Sequence, residues 1–366
     1  MSVPTISRLS SHYGSQNIIA VVNSIGHAEL LKYMIGKNIR VFVRKNSYPL
    51  SEVLLFIKLF IRKIDIIFAP HLSNTLINKV FMSLLRKKTI VPMSVRIPRC
   101  ISWIIPIPFS LSNSSDHQVN FYSKFIGHYD ASYDTSPFKT SDLKGIVSFE
   151  PRHHLNANIG STDGHIRIAI GISCNPKERH KITSPEIIAN IFGYLSNQYR
   201  YEFYILGTTE DRDVIEKFMN VVSGIHNVKK FISNSIPETL DFLNTCHFGI
   251  CGTTGQGHMM AVVDLPLLVI CGVTNPHESA PYSTRAAIVR HDLPCGPCYQ
   301  EELSYGCGKI QCMNEINALV CADMLTRLIV DNQFGLYWLL NTPRLRTKPV
   351  KTIKSIVDKI IECSPV

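Results

Sequence analysis

The sequence predicts an α/β protein of two domains, each built on a parallel sheet. Three observations lead there. Short apolar runs alternate with stretches of helical period along most of the chain, as strand–helix–strand units require. The 366 residues exceed one ordinary compact domain, and two domains of similar size are the natural division. A Ser/Thr/Gly/Asn-rich stretch with a proline, residues 132–162, separates the halves and reads as a linker. The expected domains are residues 1–150 and 151–345. Residues 346–366 are expected as a basic C-terminal helix that packs back on the first domain.

The elements follow in order. In the first half, residues 18–22, 39–43, 64–69 and 90–93 read as strands, each short, apolar and rich in β-branched residues. Residues 28–35, 53–61, 76–85 and 116–126 have helical character. Residues 96–116, rich in Pro, Ile and Ser without a period, read as a surface or acceptor-side loop. In the second half, strands are expected at 166–170, 201–206, 227–231, 248–251 and 267–270, and helices at 185–194, 211–221, 237–244 and 257–263. The two halves are weakly similar Rossmann-like units.

Composition narrows the class. With 45% hydrophobic and 18% charged residues the chain is globular and not disordered. Its formal charge of +10 favours anionic partners: a nucleotide diphosphate, nucleic acid or an acidic membrane face. Residues 1–16 are polar and the run 18–22 is too short for a secretory leader. The most apolar stretch, 53–68, is broken by Lys58, Arg62, Lys63 and Asp65, well short of the roughly 20 residues of a spanning helix. The expectation is a cytoplasmic protein, soluble or peripheral on the inner membrane. Its eleven cysteines are then thiols or metal ligands.

Two motifs carry chemistry. Cys251-Gly252-Thr253-Thr254-Gly255-Gln256-Gly257-His258 follows a predicted strand and opens a predicted helix. Such a turn offers backbone N–H groups and the positive end of a helix dipole to an anion. Its glycines permit close approach, and Thr253, Thr254 and His258 add donors. The spacing is neither the P-loop nor the dinucleotide fingerprint, so an ordinary glycine-rich turn stays open. The second motif is Cys295-Gly-Pro-Cys298, then Cys307, then Cys312, with eight and four residues between them. Four thiolates so close fit a structural zinc or iron knuckle, with unliganded thiols or a disulfide pair as the other options. Residues 313–322 carry Glu315 and no Lys or Arg, so no basic recognition helix follows and nucleic acid is not expected as a partner.

These motifs, with Gly272-Val-Thr-Asn-Pro276 and Pro281-Tyr282 between them and Cys312-Met-Asn-Glu-Ile316 after them, resemble the donor-side core of the bacterial heptosyltransferases, glycosyltransferase family 9. About sixty residues carry the strong likeness. Upstream, His180-Lys181-Ile182 with Pro185-Glu186, and Ser24-Ile25-Gly26-His27, resemble two further family segments in the family's order. The resemblance implies a GT-B fold: two Rossmann-like domains facing across a cleft. It implies inverting transfer from a nucleotide-diphosphate sugar, ADP-heptose above others, to a bacterial surface glycan such as the lipopolysaccharide core. A protein acceptor of the autotransporter-adhesin kind, and a scaffold of the same fold that has lost catalysis, stay open.

The resemblance also assigns residues. His27, or Glu29 beside it, takes the acceptor proton. Lys181 neutralises the leaving diphosphate. Donor contacts fall to Ser173, Asn175, Lys181, Glu210 and the run Thr253, Thr254, Gly255, Gln256, Gly257, His258. No catalytic metal is expected, and a metal at Cys295, Cys298, Cys307 and Cys312 would be structural. Three features depart from the family pattern: His27 and Thr253 stand where the family carries aspartates, and the tryptophan of the lysine segment is missing.

Overall fold

The computed structural model describes residues 3–44, 55, 57–69, 84–92, 102–107, 117–138, 165–195, 200–283, 285–291, 293–298, 310–331, 335–339 and 361–364. The chain divides into two compact units, Met1–Phe149 and Glu150–Val366.

Among the described residues of the first unit are two parallel sheets. Strand β1 (Ile19–Val22) pairs with β2 (Arg40–Val43), and β3 (Ile66–Phe68), β4 (Lys88–Pro92) and β5 (Ile104–Ile107) form the second. The helix Ile25–Ile35 connects β1 to β2. Ser24 starts it, its Oγ accepting the His27 N–H at 3.2 Å, the usual way a short hydroxyl satisfies a free helical donor. Strand β5 lies inside the stretch expected as a loop. Pro106 hides it from a pattern reading, and it is tolerated because β5 is a sheet edge in this unit.

The helix Val3–Tyr13 was not legible, because its sequence is largely polar. Tertiary ties fix it instead. Arg8 Nη1 donates to the carbonyls of Asp134 and Ser136 at 3.0 and 2.7 Å, with its guanidinium over the Phe138 ring. The Tyr13 hydroxyl donates to Asp130.

Among the described residues of the second unit, eight strands form one sheet. Its strands are β6 (His165–Gly171), β7 (Arg200–Gly207), β8 (Val228–Ile232), β9 (Phe248–Cys251), β10 (Leu267–Cys271), β11 (Ala286–His291), β12 (Gly335–Leu339) and β13 (Ile361–Ser364). Their spatial order is β13-β12-β11-β10-β9-β6-β7-β8, parallel except for β13. Every residue of β9 and β10 is buried, which is why both read as unbroken apolar runs. The edge strand β8 instead exposes Lys229 and Lys230, charges that discourage pairing with another chain.

Helices complete the layers. Pro185–Tyr194 begins with Ser184 as cap, Pro185 in the first turn and Glu186 near the positive dipole end. It buries Ile187, Ile188, Ile191 and Phe192 against the sheet, where Phe192 stacks on Phe203. The helix Ala318–Asp331 packs beside it and against β10 and β11.

The C-terminal expectation needs correcting where it can be seen. Residues 361–364 form a strand antiparallel to β12, so the end of the tail covers a sheet edge of its own unit. Edge pairing overrides the helical period read there. The rest of that expected helix lies outside the described residues, as do residues 70–83 and 139–164.

Candidate functional site

The chain order of the second sheet reverses between β6 and β9. From β6 the chain proceeds through β7 to β8 on one side, then returns to β9 on the other and continues outward to β12. In open α/β sheets a crevice forms at the carboxyl ends of the strands at such a reversal, and ligands bind there. Gly171 and Cys251 are register partners at the ends of β6 and β9, so the segments after them meet at this point.

The turn after β9 is built for close approach. A Cβ on Gly252 would stand 2.4 Å from the Lys181 carbonyl oxygen. A Cβ on Gly257 would meet the Gly252 carbonyl at 2.7 Å, Cys251 Sγ at 2.9 Å and Pro281 at 2.9 Å. The glycines therefore press the 252–257 turn against the segment carrying Lys181 and against the 281 segment. Gln256 ties the crevice across the reversal, its Oε1 accepting the Ser173 N–H at 2.9 Å.

Thr253 and Thr254 part company. Thr253 Oγ1 lies 2.7 Å from Thr274 Oγ1, both buried, and Thr274 also receives Cys271 Sγ at its carbonyl, 3.2 Å away. Thr253 thus binds the turns after β9 and β10 together. Thr254 caps the helix Gly255–Val262 without any side-chain bond, and its buried hydroxyl has no hydrogen-bond partner among the described residues. A buried hydroxyl left unpaired costs about 1–3 kcal/mol. Here it sits at a helix N-terminus, whose first amides also lack intrahelical acceptors. Gly255 is exposed and His258 half-buried, its amide bonded to the Thr254 carbonyl at 3.1 Å.

Lys181 ends the short turn Pro176–Lys181, and its Nζ pairs with Glu178 Oε1 at 2.8 Å. Asn175 is exposed at the start of that turn, where its carbonyl accepts the Glu178 N–H at 2.7 Å. Glu210 is exposed in the turn Thr209–Asp211. Ser173 was expected to donate to phosphate. Both its hydrogens are committed inside the protein, the amide to Gln256 and the hydroxyl to Asp211 Oδ2 at 2.5 Å. Sequence reasoning missed Asp211. Its signal was the Thr208-x-x-Asp211 spacing, a reciprocal helix cap.

His27 and Glu29 lie on the helix Ile25–Ile35 of the first unit. Loss of hydration around the His27 ring holds its pKa below the ordinary histidine value.

Three cysteines of the expected metal knuckle, Cys295, Cys298 and Cys312, are among the described residues. Cys312 is buried, with Sγ 3.0 Å from where Gly272 would carry a Cβ, and belongs to the apolar core with Met313. Cys298 is half-buried with its amide on the Val273 carbonyl at 3.0 Å, and Cys295 is exposed. Among the described residues no three His, Cys, Asp or Glu side chains converge to hold an ion; Cys307 lies outside them. A packing reason accounts for the glycine between Cys295 and Cys298: a Cβ on Gly296 would meet the buried Arg290 guanidinium at 2.4 Å. Cys251, also in the turn, is no nucleophile, since burial pushes its thiol up to about 12.

Residues 198–308, which include β7 to β11 and the glycine turn, match the family model for glycosyltransferase family 9 (heptosyltransferase). Over this stretch the chain resembles the heptosyltransferases of family 9. It is 27% identical over 90 residues to lipopolysaccharide heptosyltransferase 1 of Pseudomonas aeruginosa, a match that spans 25% of each chain. Solved structures extend the likeness in fold. ADP-heptose lps heptosyltransferase II of E. coli superposes with a TM-score of 0.60 at 14% identity, over 90% of this chain and 94% of that one. An E. coli heptosyltransferase solved with ADP gives 0.59 at 12% identity over 91% and 97%. A family 9 glycosyl transferase from Veillonella parvula gives 0.57 at 16% over 78% and 80%. The α/β fold of the GT-B type expected from the family 9-like motifs is the fold these structures share with this chain.

Proposed function

We propose that the chain is an inverting glycosyltransferase that moves a sugar, heptose by preference, from a nucleotide-diphosphate donor to a bacterial surface glycan such as the lipopolysaccharide core. The observation that carries the reading is the Ser173–Gln256 bond across the strand reversal. It draws together the unpartnered Thr254 hydroxyl, the N-terminus of the helix Gly255–Val262 and the Lys181 segment. Those groups are donors and a cation, which suits a diphosphate. ADP is carried over as the nucleotide from the E. coli relative solved with it.

In this reading the diphosphate lies on the helix N-terminus. Lys181 leaves its pairing with Glu178 to neutralise the charge that develops as the glycosidic oxygen departs. The acceptor hydroxyl attacks the anomeric carbon from the opposite face, and His27 or Glu29 accepts its proton. The described cysteines are given no part in the reaction. Thr253, tied to Thr274, serves the scaffold and not the chemistry, which favours the rival reading of a binding protein without catalysis. Localisation follows as cytoplasmic, with the exposed Ile57, Phe60 and Ile61 between Lys58, Arg62 and Lys63 available to an anionic inner-membrane face. No helix among the described residues is long and apolar enough to cross a membrane.

Thermal unfolding of the full chain tests the donor class. At a hundredfold excess over its Kd the correct nucleotide sugar stabilises by about 2.7 kcal/mol. No shift with any ADP-, UDP- or GDP-sugar would sink the assignment. A pH profile tests the base. A histidine with a lowered pKa is neutral, and so able to accept a proton, at pH 7, and loses that ability only as pH falls through the lowered value. If His27 is the base, kcat/KM is flat near neutrality and falls on an acid limb that begins below pH ~6.5. His27→Ala then lowers the plateau about 10²–10⁴-fold and removes the limb. An unchanged profile in His27→Ala moves the role to Glu29; an inactive wild type across donors and acceptors favours the binding protein.

A further inference from the structure

At the carboxyl ends of β6 and β7 a single carboxylate oxygen gathers three donors. Asp211 Oδ2 lies 2.5 Å from Ser173 Oγ, 2.9 Å from the Thr208 amide and 2.7 Å from Thr208 Oγ1. The Thr208 amide has only a hydrogen to give, so Oδ2 accepts from it. An oxygen that already accepts in this way leaves both hydroxyls as donors too. The hydrogens of Ser173 and Thr208 therefore point inward, to a carboxylate that is buried at 9% exposure. The second hydrogen of Ser173, on its amide, is taken by Gln256. Both residues are half-buried, and what they offer outward is lone pairs alone. Thr208 Oγ1 also receives the Asp211 amide in the reciprocal cap, which leaves it one lone pair.

The crevice is thus divided by polarity. On the β9 side is the N-terminus of the helix Gly255–Val262, whose first amides give hydrogens. On the β6–β7 side the hydroxyls only accept, and behind them stands a negative charge. A phosphate, which brings acceptors and negative charge of its own, is repelled there. A ligand hydroxyl, which has a hydrogen to give, is matched.

We infer that Asp211 is a positioning residue that turns Ser173 and Thr208 into acceptors, forming with them a subsite for a carbohydrate hydroxyl of the donor. The inference rests on the nucleotide-sugar reading. The hydroxyl belongs either to the ribose or to the transferred sugar, and the chemistry of recognition is the same for both. Asp211 touches neither. It acts by fixing which way two hydroxyl hydrogens point.

Isothermal titration of the full chain decides the matter, with ADP, 2′-deoxy-ADP, 3′-deoxy-ADP, ADP-glucose and pyrophosphate as probes. UDP or GDP counterparts replace them if they bind more tightly. A ribose hydroxyl in the subsite makes one deoxy form about tenfold weaker than the parent, the worth of one hydrogen bond to a site left unpaired. Asp211→Ala erases that difference while pyrophosphate binds within twofold of its wild-type value. A hydroxyl of the transferred sugar makes ADP and its deoxy forms alike, gives ADP-glucose about tenfold over ADP, and loses that gain in Asp211→Ala. Asp211→Asn, which keeps an acceptor oxygen, recovers most of the discrimination. Ser173→Ala removes one acceptor with the Thr208 cap intact and reduces the same discrimination, so the inference is tested even if Asp211→Ala fails to fold. A merely structural Asp211 would weaken pyrophosphate as much as the nucleotides, and that result overturns the subsite. So does a wild type that binds the nucleotide without distinguishing any hydroxyl. A wild type that binds no nucleotide removes the donor reading itself, and the subsite with it.

Discussion

Gly252→Ala is expected to cost the protein both stability and its proposed donor site. The added methyl would stand 2.4 Å from the Lys181 carbonyl oxygen, and the obstacle is backbone, which cannot rotate aside. Either the turn after β9 or the Lys181 segment must move. Forcing extra atoms into a packed site typically costs about 1–3 kcal/mol, visible as a lower urea midpoint at unchanged m-value. The effect on binding is larger than the stability loss implies, because the same displacement separates Lys181 from the Thr254 turn. Nucleotide affinity should fall more than about tenfold, that is more than about 1.4 kcal/mol. Gly255→Ala is the stability control. Nothing stands within 4 Å of a Cβ there, and alanine is the better helix residue, so its urea midpoint should hold or rise. Equal midpoints for the two variants would show that the close approach at Gly252 is not a constraint in solution.

The contrast between these glycines marks how far the sequence could be read. The strand–helix alternation of the second half was legible because β9 and β10 are buried throughout and carry uninterrupted apolar runs. The helix Pro185–Tyr194 was legible because cap, proline and acid stand in sequence at its start. The glycine-rich turn was legible as a turn. Its division of labour was not. Thr253 and Thr254 are adjacent and chemically identical, yet one hydroxyl is bonded to Thr274 and the other is buried without a partner among the described residues. Only the register of β9 against β6 and β10 decides that, and register is a property of the sheet and not of the local string. Asp211 was hidden similarly. In sequence it is one of two acids after Gly207-Thr208-Thr209, and the exposed Glu210 looked the better ligand; the carboxylate that gathers the crevice hydroxyls is its neighbour. The helix Val3–Tyr13 and the strand β5 failed for the opposite reason. Neither has a clear period, and long-range partners hold each in place.

The second large effect is expected at Lys181. Its side chain is 10% exposed and held 2.8 Å from Glu178, which is more exposed. The lysine is nearly buried, so losing it costs more than an exposed pair would, about 1–3 kcal/mol, and Lys181→Ala should unfold at a lower midpoint but remain folded under assay conditions. In the proposed transfer the same ammonium meets the charge that grows on the departing diphosphate, and a preorganised group in that position is worth about 10²–10³ in kcat. Steady-state assays should therefore show kcat falling by about that factor in Lys181→Ala, with KM for the donor changing much less, because the interaction strengthens as the bond breaks. Lys181→Arg keeps the charge but spreads it over a planar group, and should recover part of the loss. Glu178→Gln separates the two roles of the lysine. If Glu178 only parks Lys181 between turnovers, removing its charge lowers donor KM and leaves kcat near wild type. If instead Glu178 aims the ammonium at the leaving group, kcat falls in Glu178→Gln as well, and the pair works as a unit. A Lys181→Ala enzyme with kcat within threefold of wild type would mean that the lysine serves only as a partner of Glu178 and that the charge of the leaving diphosphate is met elsewhere, for instance at the N-terminus of the helix Gly255–Val262.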